Sequence, residues 1–354
     1  MKYIVLLLLI IITSCTSESN IIEIENTPEN IYFPPINSDI WETISAEELN
    51  WNTTNINQLY NYLETTNTKG FITLYNGKIV IEKYFNNHSA SKAWYWASAG
   101  KTITSTLVGI AEEQNYININ DKVSKHIGTG WTKTLLEKEN LITCKHLLTM
   151  TSGLDDSLGD SVEPTNLIYK TDAGSRWAYH NVYKKLQDVI ASATNTTFEN
   201  YFNNQLKNKI GMTGTWVSTG NFNLYLSNTR SMARFGLLAM NNGVWDSNEI
   251  VNTTYFNNST NTSQTINKAY GYLWWLNGKE SFYLPQSQQV YSGKLIPNAP
   301  DEMYAALGKN DQKIYVVPSK KLVIIRMGEN ANSSNLALSS FDNELWKKIN
   351  DILN

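Results

Sequence analysis

Phe71-Ile72-Thr73-Leu74-Tyr75-Asn76-Gly77-Lys78-Ile79-Val80-Ile81-Glu82-Lys83-Tyr84 reads as two β-rich runs joined by an Asn-Gly pair. Such a pair accepts positive φ at both positions, so the stretch is a tight hairpin. The pattern returns near the other end of the chain. There Met303–Leu307, Lys313–Val317 and Leu322–Met327 are separated by short polar turns. Ser339 to Leu353 follows as an amphipathic helix, with Leu345, Trp346, Ile349 and Leu353 at helical spacing. Between the ends the signals are mostly helical, at Ser98–Gln114, Thr143–Met150, Val182–Ala193 and Thr229–Asn241. This distribution predicts an α/β (α+β) fold: one antiparallel sheet formed by both chain ends, flanked by helices, with a mainly helical lobe inserted at about 106–264.

Composition narrows the function. The 354 residues are 42% hydrophobic and 17% charged, which is enough apolar material for a core and excludes general disorder. With 29 basic against 32 acidic residues and no Lys/Arg block, nothing grips a phosphate backbone, so nucleic acid is not an expected partner.

The N-terminus reads as an address. Met1-Lys2 is followed by an apolar run, Tyr3 to Ile12, too short to span a bilayer as a mature helix. It ends in Ile12-Thr13-Ser14-Cys15, which resembles a bacterial lipoprotein signal. That resemblance implies removal of residues 1–14, lipidation of Cys15 and an extracytoplasmic, membrane-anchored protein. The polar, proline-bearing residues 15–45 read as a tether, leaving 46–354 as the folded domain. Cys144, the other cysteine, reads as a small core residue. Neither a disulfide nor a Cys/His metal site can be assembled.

The chemistry centres on Trp94-Tyr-Trp-Ala-Ser98-Ala-Gly-Lys101. Ser98 falls at the start of a helix, where backbone N–H groups are unpaired and the dipole favours negative charge. Lys101 lies one turn on, over the same face. A hydroxyl beside a base, with donors nearby, is the arrangement nucleophilic catalysis needs. The chain carries its own control: Ser89-Ala-Ser-Lys92 repeats the spacing after a polar turn, with no helix behind it, and reads as surface. Two further elements add weight. Gly174-Ser-Arg-Trp-Ala-Tyr179-His180-Asn181 places a Tyr-x-Asn after a glycine turn, with Tyr179 as a proton relay and Asn181 as an orienting amide. Tyr304-Ala-Ala-Leu-Gly308-Lys309 is a strand able to present a second oxyanion N–H.

In this order and spacing the three elements resemble the serine β-lactamase and penicillin-binding-protein superfamily. Ile142-Thr-Cys-Lys-His146-Leu-Leu-Thr-Met-Thr-Ser-Gly153-Leu, Ser231-Met-Ala-Arg-Phe-Gly-Leu-Leu238, Tyr270-Gly-Tyr-Leu-Trp-Trp275 and Ile314-Tyr-Val-Val-Pro318 are similar to further signatures of that group. The likeness spans about 45–353 and is nearest to the esterase and 6-aminohexanoate-dimer-hydrolase-like branch. It implies a β-lactamase/D,D-peptidase-like fold, Ser98 as the acylated nucleophile, Lys101 as its base, Tyr179 and Asn181 as the second motif, and no cofactor. The third motif departs from the pattern: Ala306-Leu307-Gly308 stands where Lys-Thr-Gly is expected. A smaller departure is Ala173 where proline often precedes Gly174. Lys309 is three positions along the strand, about 10 Å away and on the opposite side. Losing a charged contact to a substrate carboxylate costs roughly 1.5–3 kcal/mol. Neutral short esters or amides are therefore expected to outrun penicillins and cephalosporins.

The rival readings are a D,D-peptidase or β-lactamase, a Ser-His-Asp hydrolase, and a non-catalytic surface lipoprotein binding glycan or peptide. The triad reading lacks a Gly-x-Ser-x-Gly and has only four histidines, of which His88, His126 and His146 read as core or surface and His180 as a site-lining residue. The binding-protein reading rests on 11 Trp and 20 Tyr, including Trp94, Trp96, Trp274 and Trp275. Filling a core and lining a cleft explains the same residues.

Overall fold

The hairpin and the C-terminal strands meet in a computed structural model that describes residues 30–331 and 338–353. Strands β1 (Thr68–Tyr75) and β2 (Lys78–Tyr84) turn at Asn76 and Gly77, whose φ angles are 48° and 85°. Two short strands and a hairpin follow in the chain: β3 (Trp94–Tyr95), β4 (Thr215–Thr219), β5 (Phe222–Ser227) and β6 (Trp275–Leu276). The C-terminal run supplies β7 (Tyr304–Gly308), β8 (Gln312–Val317) and β9 (Leu322–Gly328). The main sheet has the order β2-β1-β9-β8-β7-β6 and is antiparallel throughout. Pairing β1 with β9, in a register that sets Ile72 opposite Ile325, joins the two chain ends as the sequence predicts.

Both faces of this sheet are covered. Helices α1 (Ile56–Thr65) and α5 (Ser340–Leu353) pack on one side, with Tyr62 stacked on Phe341 at 5.6 Å. On the other side lies α4 (Thr229–Met240), its N-terminus capped by the Asn228 side chain. Gly236 permits its close approach, since a Cβ there would sit 2.5 Å from Val323. Helix α2 (Lys101–Glu113) is buried from Lys101 to Ala111, as expected of a helix enclosed on all sides. It packs against α3 (Lys185–Thr194) in the helical lobe.

Two regions differ from the sequence expectation. The middle of the chain is not purely helical, because β3, β5 and β4 form a three-stranded sheet. The lobe helices are also short: Thr143–Met150 narrows to Cys144–Leu148, closed by a Thr143–His146 capping box. The second difference corrects the tether. The compact unit begins at Ile31, not near 45. Trp41 donates its indole N–H to the Gly77 carbonyl at 2.7 Å, and Arg234 binds the carbonyls of Pro34, Pro35 and Ser38. The polar look of this segment hides backbone carbonyls used as ligands for a buried guanidinium. Residues 1–14 and Cys15 lie outside the described residues. Among the described residues no helix is long and apolar enough to cross a membrane.

Candidate active site

Ser98 sits in the short turn Ala97–Gly100 that runs directly into α2. The turn is held from below by Trp96, whose backbone N–H reaches the Tyr225 carbonyl at 2.9 Å and whose indole donates to Ser227 Oγ at 2.7 Å. Ala97 adopts φ 48°, a left-handed conformation that costs a non-glycine residue energy and recurs at nucleophile turns. Gly308 of β7 presses against this turn. A Cβ there would lie 2.5 Å from the Trp96 carbonyl and 3.0 Å from the Ala99 nitrogen, so only glycine lets the strand approach.

Lys101 Nζ donates to Ser98 Oγ at 2.8 Å. The side chain is 6% exposed, and among the described residues no salt bridge reaches it. Its ammonium lies over the rings of Tyr179 and Tyr183 at 4.9 and 4.5 Å. Burial lowers its pKa to about 7, partly opposed by the carboxylate of Asp160. The free amine is thereby brought within reach at neutral pH, which suits a general base.

The Tyr179 phenol lines the cleft beside Ser98, and burial holds it protonated well above the ordinary range. Its ring is fixed by Trp275, stacked at 5.6 Å, and by Tyr270 at 6.2 Å, edge-on. Asn181 donates from Nδ2 to the carbonyls of Asp160 (2.8 Å) and Asn221 (3.0 Å). Two carbonyl acceptors fix the amide orientation and leave Oδ1 buried without a partner. Asn181 thus pins two loops beside the site, a different use of its amide nitrogen from the orienting role expected of it.

These residues line a cleft of about 530 Å³, together with Tyr95, Ala97, Asp160, His180, Phe222, Leu224, Pro285, Gln286, Lys309 and Asn310. The structure therefore brings Ser98, Lys101, Tyr179 and Asn181 to one place, with Lys309 on the rim and Gly308 behind the Ser98 turn. Ala306 and Leu307 are buried in the sheet and offer nothing to the cleft. After Lys309, Asn310 and Asp311 are both left-handed, with φ 58° each. That turn is locked by the buried Arg326, which donates to the carbonyls of Asn310 (2.9 Å) and Asp311 (3.0 Å), and by Asn310, which donates to the Tyr95 hydroxyl at 2.7 Å.

The histidines divide as expected. His126 meets Asp121 at 3.1 Å, His146 caps a helix and His88 packs near Trp94, all outside the cleft, while His180 lines it. Cys144 is buried, and its thiol is pushed up to about 12 by burial. Trp96, Trp274 and Trp275 are core residues. Sequence reasoning missed Asp160, Tyr183, Asn310 and Arg326. Tyr183 was within reach of it, four residues beyond Tyr179 at the start of a helical segment. Asp160 carries no local pattern.

The family model described as Beta-lactamase matches residues 70–335. The chain belongs to the beta-lactamase family. No curated protein sequence matches it significantly. Among solved structures it is similar to "Putative 6-aminohexanoate-dimer hydrolase from Bacillus anthracis", at 18% identity and TM-score 0.67, covering 90% of this chain and 89% of that one. It is similar also to a penicillin-binding protein homolog from Caulobacter crescentus, at 9% identity and TM-score 0.64, covering 84% and 95%. A third is EstCE1, described as a hydrolase with promiscuous acyltransferase activity, at 10% identity and TM-score 0.63, covering 87% and 99%. At these identities the likeness is one of fold: the β-lactamase/penicillin-binding-protein-like fold.

Proposed function

We propose that this beta-lactamase-family protein is a serine hydrolase that cleaves an ester or amide bond through an acyl-enzyme on Ser98. The observation that carries the reading is the 2.8 Å contact between Ser98 Oγ and a buried lysine whose pKa falls to about 7. Neutral Lys101 takes the Oγ proton as Oγ attacks the substrate carbonyl carbon. The oxyanion is held by the Ser98 N–H and an N–H of the Gly308–Lys309 segment. Tyr179, protonated and beside Ser98 in the cleft, passes the proton to the leaving group as the carbonyl–heteroatom bond breaks. Water then attacks the acyl-enzyme along the reverse proton path and releases the acid.

Neutral substrates suit the altered third motif, in which buried Ala306 and Leu307 provide neither cation nor hydroxyl. Lys309, on the cleft rim and without an ion pair among the described residues, favours a second reading, a D,D-peptidase or β-lactamase that uses it for a carboxylate. Labelling with a fluorophosphonate, lost in Ser98→Ala, tests the first reading. Efficient cephalosporin hydrolysis with esters untouched selects the second.

We further propose that Cys15 carries a lipid that anchors the protein on the extracytoplasmic side of a bacterial membrane. Replacing Cys15 with serine removes the acyl label in metabolic labelling. Full membrane retention of that variant contradicts the anchor.

A further inference from the structure

The turn after β7 is held more firmly than a surface connection needs. Asn310 and Asp311 are consecutive non-glycine residues in the left-handed region, each at a cost in backbone energy. Two fully buried side chains keep them there. Arg326 Nη1 donates to the carbonyls of Asn310 and Asp311, and Gln312 Nε2 donates to the same Asn310 carbonyl at 2.9 Å.

The other donors of both side chains go to the main sheet. Arg326 Nη2 reaches the carbonyls of Thr66 (2.7 Å) and Glu329 (2.9 Å), and its Nε reaches Thr68 Oγ1 at 3.2 Å. Gln312 Nε2 also meets the Gly328 carbonyl at 2.6 Å, while its Oε1 accepts from the Gly328 N–H at 3.2 Å. The turn is thereby tied to the entry of β1 and the exit of β9. A buried charge is a poor source of stability, since well-packed apolar residues often do as well or better. What the guanidinium supplies is a rigid fork of five donors, and every one is used.

The object held is the end of β7. Gly308 is closed in on one side by the Trp96 carbonyl and the Ala99 nitrogen of the Ser98 turn. On the other side a Cβ would lie 3.1 Å from Gln312 Cβ. Lys309 and Asn310, next in the chain, line the cleft. Donors to an oxyanion work only within about 2.7–3.1 Å of the developing charge. A shift of about an ångström at this strand end therefore costs about a hundredfold in rate.

We propose that Arg326 and Gln312 are positioning residues: by clamping the Asn310–Asp311 turn they aim an N–H of the Gly308–Lys309 segment at the substrate oxyanion, without touching substrate. The inference rests on the serine hydrolase reading and extends its active site to two side chains beneath the sheet end.

The test compares Arg326→Met and Gln312→Leu with the wild-type domain, using p-nitrophenyl butyrate and butylboronic acid. The tetrahedral adduct of the boronic acid on Ser98 places an oxygen where the oxyanion forms. Lys313→Met is the control, because it too removes a buried charge from β8 but one that pairs with the side chains of Asp311 and Asp342. Folded Arg326→Met should lose about 30-fold or more in kcat, and Gln312→Leu about tenfold. KM should stay within about threefold, since the same N–H serves acylation and deacylation, and the inhibition constant of the boronic acid should rise in step with the loss of kcat. Lys313→Met should keep its kcat per folded molecule. If Arg326→Met does not fold, Gln312→Leu decides. Wild-type kcat in the folded variants, a rise in KM alone, or an equal loss in Lys313→Met overturns the positioning role, while Ser98-dependent turnover by the wild type preserves the proposed function. Absence of Ser98-dependent turnover in the wild type removes both.

Discussion

Two lysines are buried among the described residues, and they are buried differently. Lys313 in β8 lies between two buried carboxylates, 2.9 Å from Asp342 and 3.2 Å from Asp311. Lys101 at the start of α2 meets a serine hydroxyl and two aromatic faces, with no carboxylate in contact. A buried ammonium with counterions is a structural tie; one without them is pushed toward the free amine and becomes a base. The second Ser-x-x-Lys shows the remaining alternative. Lys92 is exposed and donates to the Asn87 carbonyl at 2.5 Å, and Ser89 turns to Ser91 instead. Spacing alone therefore carries no chemistry. Burial without a countercharge carries it.

The largest expected effect lies in activity. Lys101→Met and Ser98→Ala should each lower acylation by about 10³-fold or more, because such a pair acts as a unit. Near wild-type turnover in Lys101→Met at neutral pH would assign the base elsewhere. Lys313→Met strands two buried carboxylates and should cost about 3–5 kcal/mol in urea unfolding. The molecules that remain folded should hydrolyse normally. An unchanged unfolding midpoint would break the distinction between the two lysines.

Stability should move the other way at Lys101. Its folded pKa of about 7 lies below the unfolded value of about 10.4, so between these limits the unfolded chain binds more protons. Stability from this residue therefore rises with pH across that window, and its cost is fully present below pH 7. Lys101→Met should accordingly stabilise the inactive protein at pH 6 by about 1–4 kcal/mol, a gain that fades by pH 10. A loss of stability at pH 6 would mean that the ammonium is better accommodated than its surroundings suggest. The smallest effect belongs to the exposed copy: Ser89→Ala and Lys92→Ala should change stability by no more than about 0.5 kcal/mol. Activity should be unaffected, as a p-nitrophenyl butyrate assay would show.

What was legible in the sequence follows the range of the interactions. The Asn76-Gly77 hairpin, the Ser98 helix start and Lys101 one turn later are local, and each is where its pattern places it. Gly308 is readable as a glycine, but its reason, the approach to Trp96 and Ala99, is a contact between distant segments. Residues 31–45 look like a tether because their anchors, Gly77 and Arg234, lie far along the chain. Asp160 is one acid among several in a polar loop. Only the pairing of Asp155 and Asp156 with basic residues singles it out. Arg326 is a lone charge in the apolar strand Leu322–Gly328, and only the structure shows it buried beneath the turn that follows Lys309.

The most direct test of the account is the pH dependence of Ser98 acylation by a neutral fluorophosphonate, followed between pH 5 and 9. A base with pKa about 7 predicts a rate that rises tenfold per unit below neutrality and levels off above pH 8. In Asp160→Asn the limb should move to lower pH, because the carboxylate that favours the charged lysine is gone. Burial lowers the pKa of His180 as well, and His180→Gln, which should leave the limb in place, separates the imidazole from the lysine. A profile flat from pH 5 to 9, or one still rising at pH 9, would contradict Lys101 as the base of this site.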